Sequence, residues 1–542
     1  MCAAHSPVDH DAVAKALRAM PYEFGEWVSR AGNGGSGGIA VTRDMLLAYV
    51  AARLLTDDPR LEARDSWAAL RSAAEVAAAR VRALESARGD TVDVWVEYLG
   101  AGYTIVLGDP ERGDEPDAGS WLTAFGLGVV SGQERALARL VDVSIRRLPD
   151  GPGAAYARAL ADLWVKRPVR LDGVESAALH ALARGDRMAC ATALREEFDR
   201  HAERFAGRLA ELLPWDLLAL AALARRRGVT VKIDSVHCPS RLVTGAGPRN
   251  ADPGEPVRRP DVGTDYAART LDRRFRDARG SLERLFEPRG PGWLAYEFQR
   301  FARERVDTFA LRSVADPDAN EIRQWTDLLL AQQASTAAFA LLSAEAGTDV
   351  RVTVGNRAAV LPADGPRGGG GGARNYVRAV GLAMATRSPD AIAVLGSVSD
   401  EVIGDGGYGG HHVTEYTRAL RAHLAKRSAR RELDQALGQG PGPHDEWDCL
   451  YLPMARMLDR LLRRDRAGFD RALAEALDLY RQYHSVAARP DRPESLVPIE
   501  IIGMVCRARD RGWDFEVETD YLPRRIVEGA WTGAPPNLTP YR

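Results

Sequence analysis

Long apolar runs and an excess of charge of one sign are both missing from this sequence. No stretch approaches the roughly 18 apolar residues that a membrane-spanning helix requires, and the N-terminal MCAAHSP lacks the basic and apolar parts of a secretion signal. Lysine and arginine total 73 against 75 acidic residues, a formal net charge of −2, which gives no electrostatic reason to expect a nucleic acid or an anionic membrane as partner. We therefore expect a cytoplasmic protein with neither partner.

Cysteine is scarce, and no two cysteines have the CxxC spacing of a redox or zinc site. Their odd number and scattered positions do not outline a disulfide framework. We expect reduced thiols that pack as small apolar side chains and hold no metal. The cysteines are Cys2, Cys190, Cys238, Cys449 and Cys506.

Two glycine-rich stretches, residues 33–38 and 367–373, lack the features of a nucleotide site. Neither is followed by the Lys-Ser/Thr pair of a phosphate-binding loop, and neither has the strand-turn-helix setting of a dinucleotide site. We interpret both as loops and expect no cofactor.

What the sequence does contain is an internal repeat, in which three segments of the first half match three segments of the second half in the same order. The paired glycines and prolines fall at the same predicted helix ends. The matching segments are residues 67–96 with 325–354, 124–143 with 379–398, and 214–243 with 498–527.

The repeat predicts an all-α fold of two tandem copies, built mainly of helical hairpins in a repeat-like array with short β-strands. We expect residues 1–243 and 265–542 to form the two domains. Residues 244–264, rich in glycine and proline, are predicted to be a flexible linker.

Local signals also occur in both copies. A long helix is predicted to end at Gly89 or Gly347, since glycine suits the left-handed cap position. The alternating stretch that follows, TVDVWV or DVRVTV, predicts a β-strand or hairpin arm. Further along, Asp186 and Asp465 are predicted to cap the helices that follow them.

Two groups of polar residues are candidates for a small-molecule pocket. His411 and His412 follow a glycine-rich loop, but adjacent histidines point apart, so a metal site would need other ligands. His444 is close to Cys449 only along the chain, whereas a cysteine nucleophile needs a base close in space; capping of the next helix by the intervening acids is the alternative. The candidate pocket residues are these three histidines and Tyr416. No catalytic residue is predicted.

The most informative polar segment is GWDFEVETDYLP, residues 512–523. In an extended chain its apolar residues would face the core and its acids would share the open face. An acidic edge with a tyrosine beside it suits docking onto a basic partner, and a merely solvated strand is the alternative. We predict Glu516, Glu518, Asp520 and Tyr521 as partner-binding residues.

Residues 447–531 resemble the closing region of the actinobacterial immunity protein 49 family, whose members end in a helical pair and a Gly-aromatic-acidic-Asp-Tyr-Leu-Pro segment. The helix YVRAVGLAM, which begins at Tyr376, is also similar to the family pattern. The resemblance covers residues 300–531 and, through the repeat, residues 40–243. The first copy departs from the pattern, because Val236 and His237 replace the Asp-Tyr pair. The residues that match the closing segment are Gly512, Trp513, Glu516, Glu518, Asp520, Tyr521, Leu522 and Pro523.

The resemblance implies a cytoplasmic immunity protein that binds and neutralises the toxin domain of a polymorphic toxin system without catalysis. An enzyme or small-molecule-binding protein of a specialised-metabolite pathway, built on the same helical scaffold, is the alternative. A general helical scaffold for protein assembly is the third. A toxin gene beside this one would favour the first reading, and a cluster of biosynthetic genes would favour the second.

Overall fold

A computed structural model describes residues 9–31, 35–87, 89–107, 116–249, 256–278, 281–287, 292–404, 410–438, 445–486 and 492–537. The chain divides into two compact units. Unit 1 comprises Met1–Asn250 and the short segment Val486–Ala488, and unit 2 comprises Ala251–Ser485 and Arg489–Arg542. Throughout the described ranges, no helix has the length and apolar character needed to cross a membrane.

Unit 1 is helical apart from one β-hairpin. Its elements are α1 (His10–Ala31), α2 (Gly35–Leu55), α3 (Arg64–Glu85), β1 (Thr91–Val96), β2 (Ala101–Val106), α4 (Ala118–Ser131), α5 (Glu134–Asp142), α6 (Pro152–Trp164), α7 (Ala177–Ala183), α8 (Arg187–Arg204), α9 (Trp215–Arg226) and α10 (Ser240–Thr244).

Unit 2 has the same character, with a second hairpin. Its elements are α11 (Thr264–Ala278), α12 (Ser281–Arg284), α13 (Leu294–Arg312), α14 (Ile322–Ser343), β3 (Asp349–Val354), β4 (Arg357–Pro362), α15 (Ala373–Ala385), α16 (Pro389–Ser397), α17 (Asp400–Ile403), α18 (Gly410–Leu424), α19 (Arg430–Gly438), α20 (Leu452–Arg463), α21 (Arg466–His484), α22 (Ile499–Arg509) and α23 (Arg524–Val527).

The order of elements repeats between the units and confirms the predicted fold of two tandem helical copies. In unit 1 the long helix α3 leads into the hairpin and then into α4 and α5, and in unit 2 α14 does the same with α15 and α16. α3 packs between α2 and α4, and α14 packs against α13 and α15. Each long helix is buried along most of its length because small residues, mainly alanine, let its neighbours approach closely.

Individual contacts repeat as well. The indole N–H of Trp121 in α4 donates to the Leu140 carbonyl at 3.1 Å, and the Tyr376 hydroxyl in α15 donates to the Leu395 carbonyl at 3.0 Å. These residues occupy matching positions of the repeat, and both aromatic side chains are fully buried. In both units, the polar group of a buried aromatic side chain is hydrogen-bonded to a main-chain carbonyl at the same position of the repeat. Such a shared contact is expected if the two units are copies of one domain.

The local predictions of the hairpins and of the aspartate caps are confirmed. β1 pairs with β2, and β3 with β4, both antiparallel. The predicted glycine caps are wrong, because the long helices end at Glu85 and Ser343 and have extended residues at their cap positions. Gly89 and Gly347 adopt the left-handed conformation, with φ of 84° and 83°, in the turns that lead into the hairpins. Asp186 accepts a hydrogen bond from the Ala189 amide, and Asp465 accepts one from the Gly468 amide.

The glycine-rich stretch at residues 33–38 differs from its prediction. From Gly35 onward it lies in α2, so the predicted loop is wrong for those residues. Ile39, Leu46 and Val50 of the same helix are buried in the unit 1 core. Their packing outweighs the low helix propensity of the glycines.

The described cysteines are buried, as predicted for small apolar side chains. They are Cys190, Cys238, Cys449 and Cys506. Cys2 lies outside the described residues.

Candidate functional site

The closing segment, residues 512–523, has the predicted two-sided pattern. Trp513, Phe515 and Val517 pack against the unit 2 core, while the acids between them are exposed. This segment is extended, and among the described residues it forms one isolated bridge, between Thr519 and Val257. The pattern of alternation therefore holds without a regular strand.

Most of the acids in this segment are already paired within unit 2. The Glu518 carboxylate forms an ion pair with Arg258, and Asp520 accepts a hydrogen bond from the Arg259 amide at 2.9 Å. Asp514 pairs with Arg509. Glu516 is exposed and has no ion-pair partner among the described residues.

These contacts also show where part of the predicted linker lies. Residues 256–259 run alongside the closing segment, where the Val257 amide donates to the Glu518 carbonyl at 3.2 Å. The Arg259 guanidinium donates to the Ser313 carbonyl at 2.6 Å. This end of the predicted linker is therefore bonded to unit 2.

Tyr521 is in the core and not on the surface beside the acids. Only 1% of it is exposed, and its ring makes an edge-to-face contact with Tyr480 at 5.7 Å between centroids. Counted in twos from Trp513, Tyr521 is an inward position, so the alternation continues past the bend at Asp520 and places this side chain in the core. Direct contact of Tyr521 with a partner would require this segment to open.

Of the four pocket candidates, the structure describes only the side chain of Tyr416. Tyr416 is fully buried in the unit 2 core. His411 and His412 belong to the first turn of α18, but their side chains are outside what the structure describes, as is the whole of His444. Within the described residues, no three His, Cys, Asp or Glu side chains are grouped so that they could hold a metal ion.

Sequence reasoning missed a cluster of charged and aromatic side chains in unit 2. Arg374 and Arg378 lie one turn apart in α15. They face one acid in the segment before α22 and a second acid in the first turn of α22. Arg378 is 3.4 Å from Glu494 and 3.6 Å from Glu500, and Arg374 is 3.5 Å from Glu494. Tyr480 of α21 closes the cluster by donating to the Val497 carbonyl at 3.3 Å.

A π-helical turn, Trp447–Tyr451, supplies the remaining wall of this cluster. Its Tyr451 lines a small cavity of about 40 Å³ together with Arg374, Tyr480 and Glu494. At this volume the cavity has room for little more than water. In unit 2 the side chains themselves fill the site.

The charges of the cluster support one another. Burial alone would raise the pKa of Glu494, but the guanidinium groups of Arg374 and Arg378 outweigh it and lower this pKa to about 2. Burial raises the pKa of Tyr480 well above its ordinary value. The cluster is therefore an ionised acid between two arginines, with a neutral tyrosine beside it.

The same place in unit 1 has a different content. By the register of the repeat, Gly119 stands where α15 has Arg374, Thr123 where it has Arg378, and Ala210 where unit 2 has Glu494. The aromatic contact beside the site is retained. The rings of His201 and His237 are in edge-to-face contact, with 5.1 Å between their centroids, as those of Tyr480 and Tyr521 are in unit 2. The site in unit 1 is an open cavity of about 1270 Å³.

A signal for this difference was present in the sequence. Arg374 and Arg378 are four residues apart, so they share one face of an otherwise apolar helix. The matching helix of the first copy has no charge on that face. A charged pair that is present in only one of two copies marks a site where the copies have diverged.

The model of the family described as immunity protein 49 matches residues 170–242 and 316–526 of this chain, which is more than half of it. The chain belongs to the immunity protein 49 family. The two matched regions fall in different units, and the second contains the charged cluster and the closing segment. No curated protein and no solved structure matches the chain.

Proposed function

We propose that this member of the immunity protein 49 family neutralises a cognate toxin domain by binding it in a stoichiometric complex, without turnover, in the cytoplasm. The observation that carries the proposal is the family match across residues 170–242 and 316–526.

The exposed acids of the closing segment support a binding surface in unit 2. Asp514, Glu516 and Glu518 face outward from one extended chain, and Asp520 is half-buried beside them. Acids in such a row attract a basic partner surface and speed its approach. We propose Glu516, Glu518 and Asp520 as partner-contacting residues, with Tyr521 holding the segment in place from beneath.

A titration distinguishes stoichiometric binding from enzymatic inactivation of the toxin. The probe is the cognate toxin domain, identified by co-purification with this chain and assayed with increasing amounts of it. Because a binder neutralises one molecule at a time, we expect toxin activity to fall linearly to an equimolar end point. Toxin recovered from the complex by denaturation and refolding should regain its activity. Complete inactivation by substoichiometric chain, or loss of activity after recovery, would contradict the proposal.

Glu516→Lys tests the acidic row, since this residue has no internal ion pair to lose. We expect toxin binding to weaken on the order of tenfold at low salt, and the loss to shrink as salt screens the charges. The measurement is the dissociation constant at two salt concentrations. The control is Asp234→Lys, the same charge change at an exposed position of the matching segment in unit 1. An equal effect of both variants, or none from Glu516→Lys, would remove this row from the interface.

A further inference from the structure

The two units have the same framework around one internal site, but only unit 2 fills it. The arginines and the acid that occupy this site in unit 2 are replaced in unit 1 by Gly119, Thr123 and Ala210. One acid is retained, because Asp216 stands at the position of Glu500. Compared with unit 2, unit 1 therefore lacks the two guanidinium groups and the large side chains that fill the site, but it retains one carboxylate.

The space left in unit 1 is large and mainly apolar. Its volume of about 1270 Å³ compares with about 40 Å³ for the cavity in unit 2. The walls are Met20 of α1, Leu47 of α2, Leu122 and Thr123 of α4, and Leu213 and Trp215 at the start of α9. Pockets that enclose most of a small organic molecule measure roughly 300–1000 Å³, so this cavity has ample room for one.

Asp216 gives the cavity its chemical character. Its side chain lines the cavity, and burial raises its pKa. Asp216 and Glu500 both lie in the first turn of a helix, where main-chain amides favour a carboxylate. Glu500 also has Arg378 at 3.6 Å, whereas Asp216 has no ion-pair partner among the described residues.

The other charged groups at the cavity do not replace the missing arginine. Arg208 pairs with Glu211 at 2.6 Å, and Arg43 pairs with Asp44 at 2.7 Å. Lys15 is exposed on α1. Burial lowers the pKa of His201, so its ring is neutral at neutral pH.

We propose that the cavity of unit 1 binds a small organic cation, an amine or amidine with an apolar body, whose charged group pairs with Asp216 in the place that Arg378 takes in unit 2. The apolar body of the ligand would pack against the side chains of α1 and α2. This binding is a property of the chain alone and needs no toxin, so its test is independent of the proposed function.

Benzamidine and benzamide provide the test, because they have nearly the same shape and differ in charge. We expect the full chain to bind benzamidine saturably in isothermal titration calorimetry, with a dissociation constant below about 1 mM, and to bind benzamide at least tenfold more weakly. Asp216→Asn should remove this preference. Phenethylamine is the corresponding probe for an amine ligand. Failure of the chain to bind both benzamidine and phenethylamine would overturn the proposal, and so would equal affinity for benzamidine and benzamide.

A second variant keeps the test decisive if Asp216→Asn does not fold. Thr123→Arg introduces the guanidinium that unit 2 has at this position, and we expect it to abolish benzamidine binding by occupying the site. The matched control is Thr230→Arg, at an exposed position of the same unit, which should bind as the unaltered chain does. Unchanged binding by Thr123→Arg would show that the probe binds elsewhere and would overturn the proposal.

Discussion

At the scale of single residues, Glu494 and Ala210 show how the sequences of the two copies have diverged. Glu494 is held between two guanidinium groups, and its removal would leave Arg374 and Arg378 with less compensating charge. Ala210, at the matching position, lines a cavity whose arginines, Arg43 and Arg208, already pair with neighbouring acids. A buried charge is tolerated only with its partners, so the residues of such a cluster are expected to change together.

Replacing Glu494 with glutamine should destabilise the protein in a pH-dependent way. The pKa of Glu494 is lowered from its ordinary 4.5 to about 2, so its ionised form stabilises the fold above about pH 4.5. That contribution is lost as the pH falls through about 2. We expect Glu494→Gln to lower the free energy of unfolding on the order of 3 kcal/mol at pH 7, and by clearly less at pH 3.

Urea denaturation at the two pH values measures this difference. The control is Glu528→Gln, an exposed position in the same unit, which should change the free energy of unfolding by less than about 0.5 kcal/mol. If Glu494→Gln destabilises the protein equally at pH 7 and pH 3, the charge of Glu494 does not stabilise the cluster.

At the scale of secondary structure, the elements that were predicted well are those set by local rules. The hairpin strands and the aspartate caps each depend on a few neighbouring residues, and the structure has them where the sequence places them. The alternation of residues 513–519 is a local rule as well. It extends to Tyr521, which is an inward position of the same alternation and is buried. The expectation that Tyr521 lies beside the exposed acids departed from this rule.

The charged cluster could not be predicted because its parts are distant along the chain. It brings together α15, the π-helical turn, α21 and the segment before α22, and each part is ordinary by itself. A close helix contact fixes this arrangement. A Cβ on Gly381 of α15 would lie 2.8 Å from the Glu500 Cα, and one on Gly126 of α4 would lie 2.3 Å from the Trp215 carbonyl oxygen. Glycine at both positions lets the helices approach equally in the two units.

At the scale of the whole molecule, a shared framework carries two different internal sites. Unit 2 has a filled, charged cluster and the acidic closing segment of the immunity protein 49 family. Unit 1 has an open cavity, and its matching segment carries Lys232 where unit 2 has Glu516. We propose that unit 2 contacts the toxin and that unit 1 holds a ligand.

Cleavage between the units tests most directly whether each copy is a complete domain. A protease site inserted between Asn250 and Ala251 separates unit 2 from all of unit 1 except Val486–Ala488. Because each unit has its own apolar core, we expect both fragments, purified separately, to remain soluble and helical by circular dichroism. Each should unfold in its own cooperative transition. Aggregation of both fragments, or loss of helical signal on cleavage, would contradict two independently folded copies of one domain.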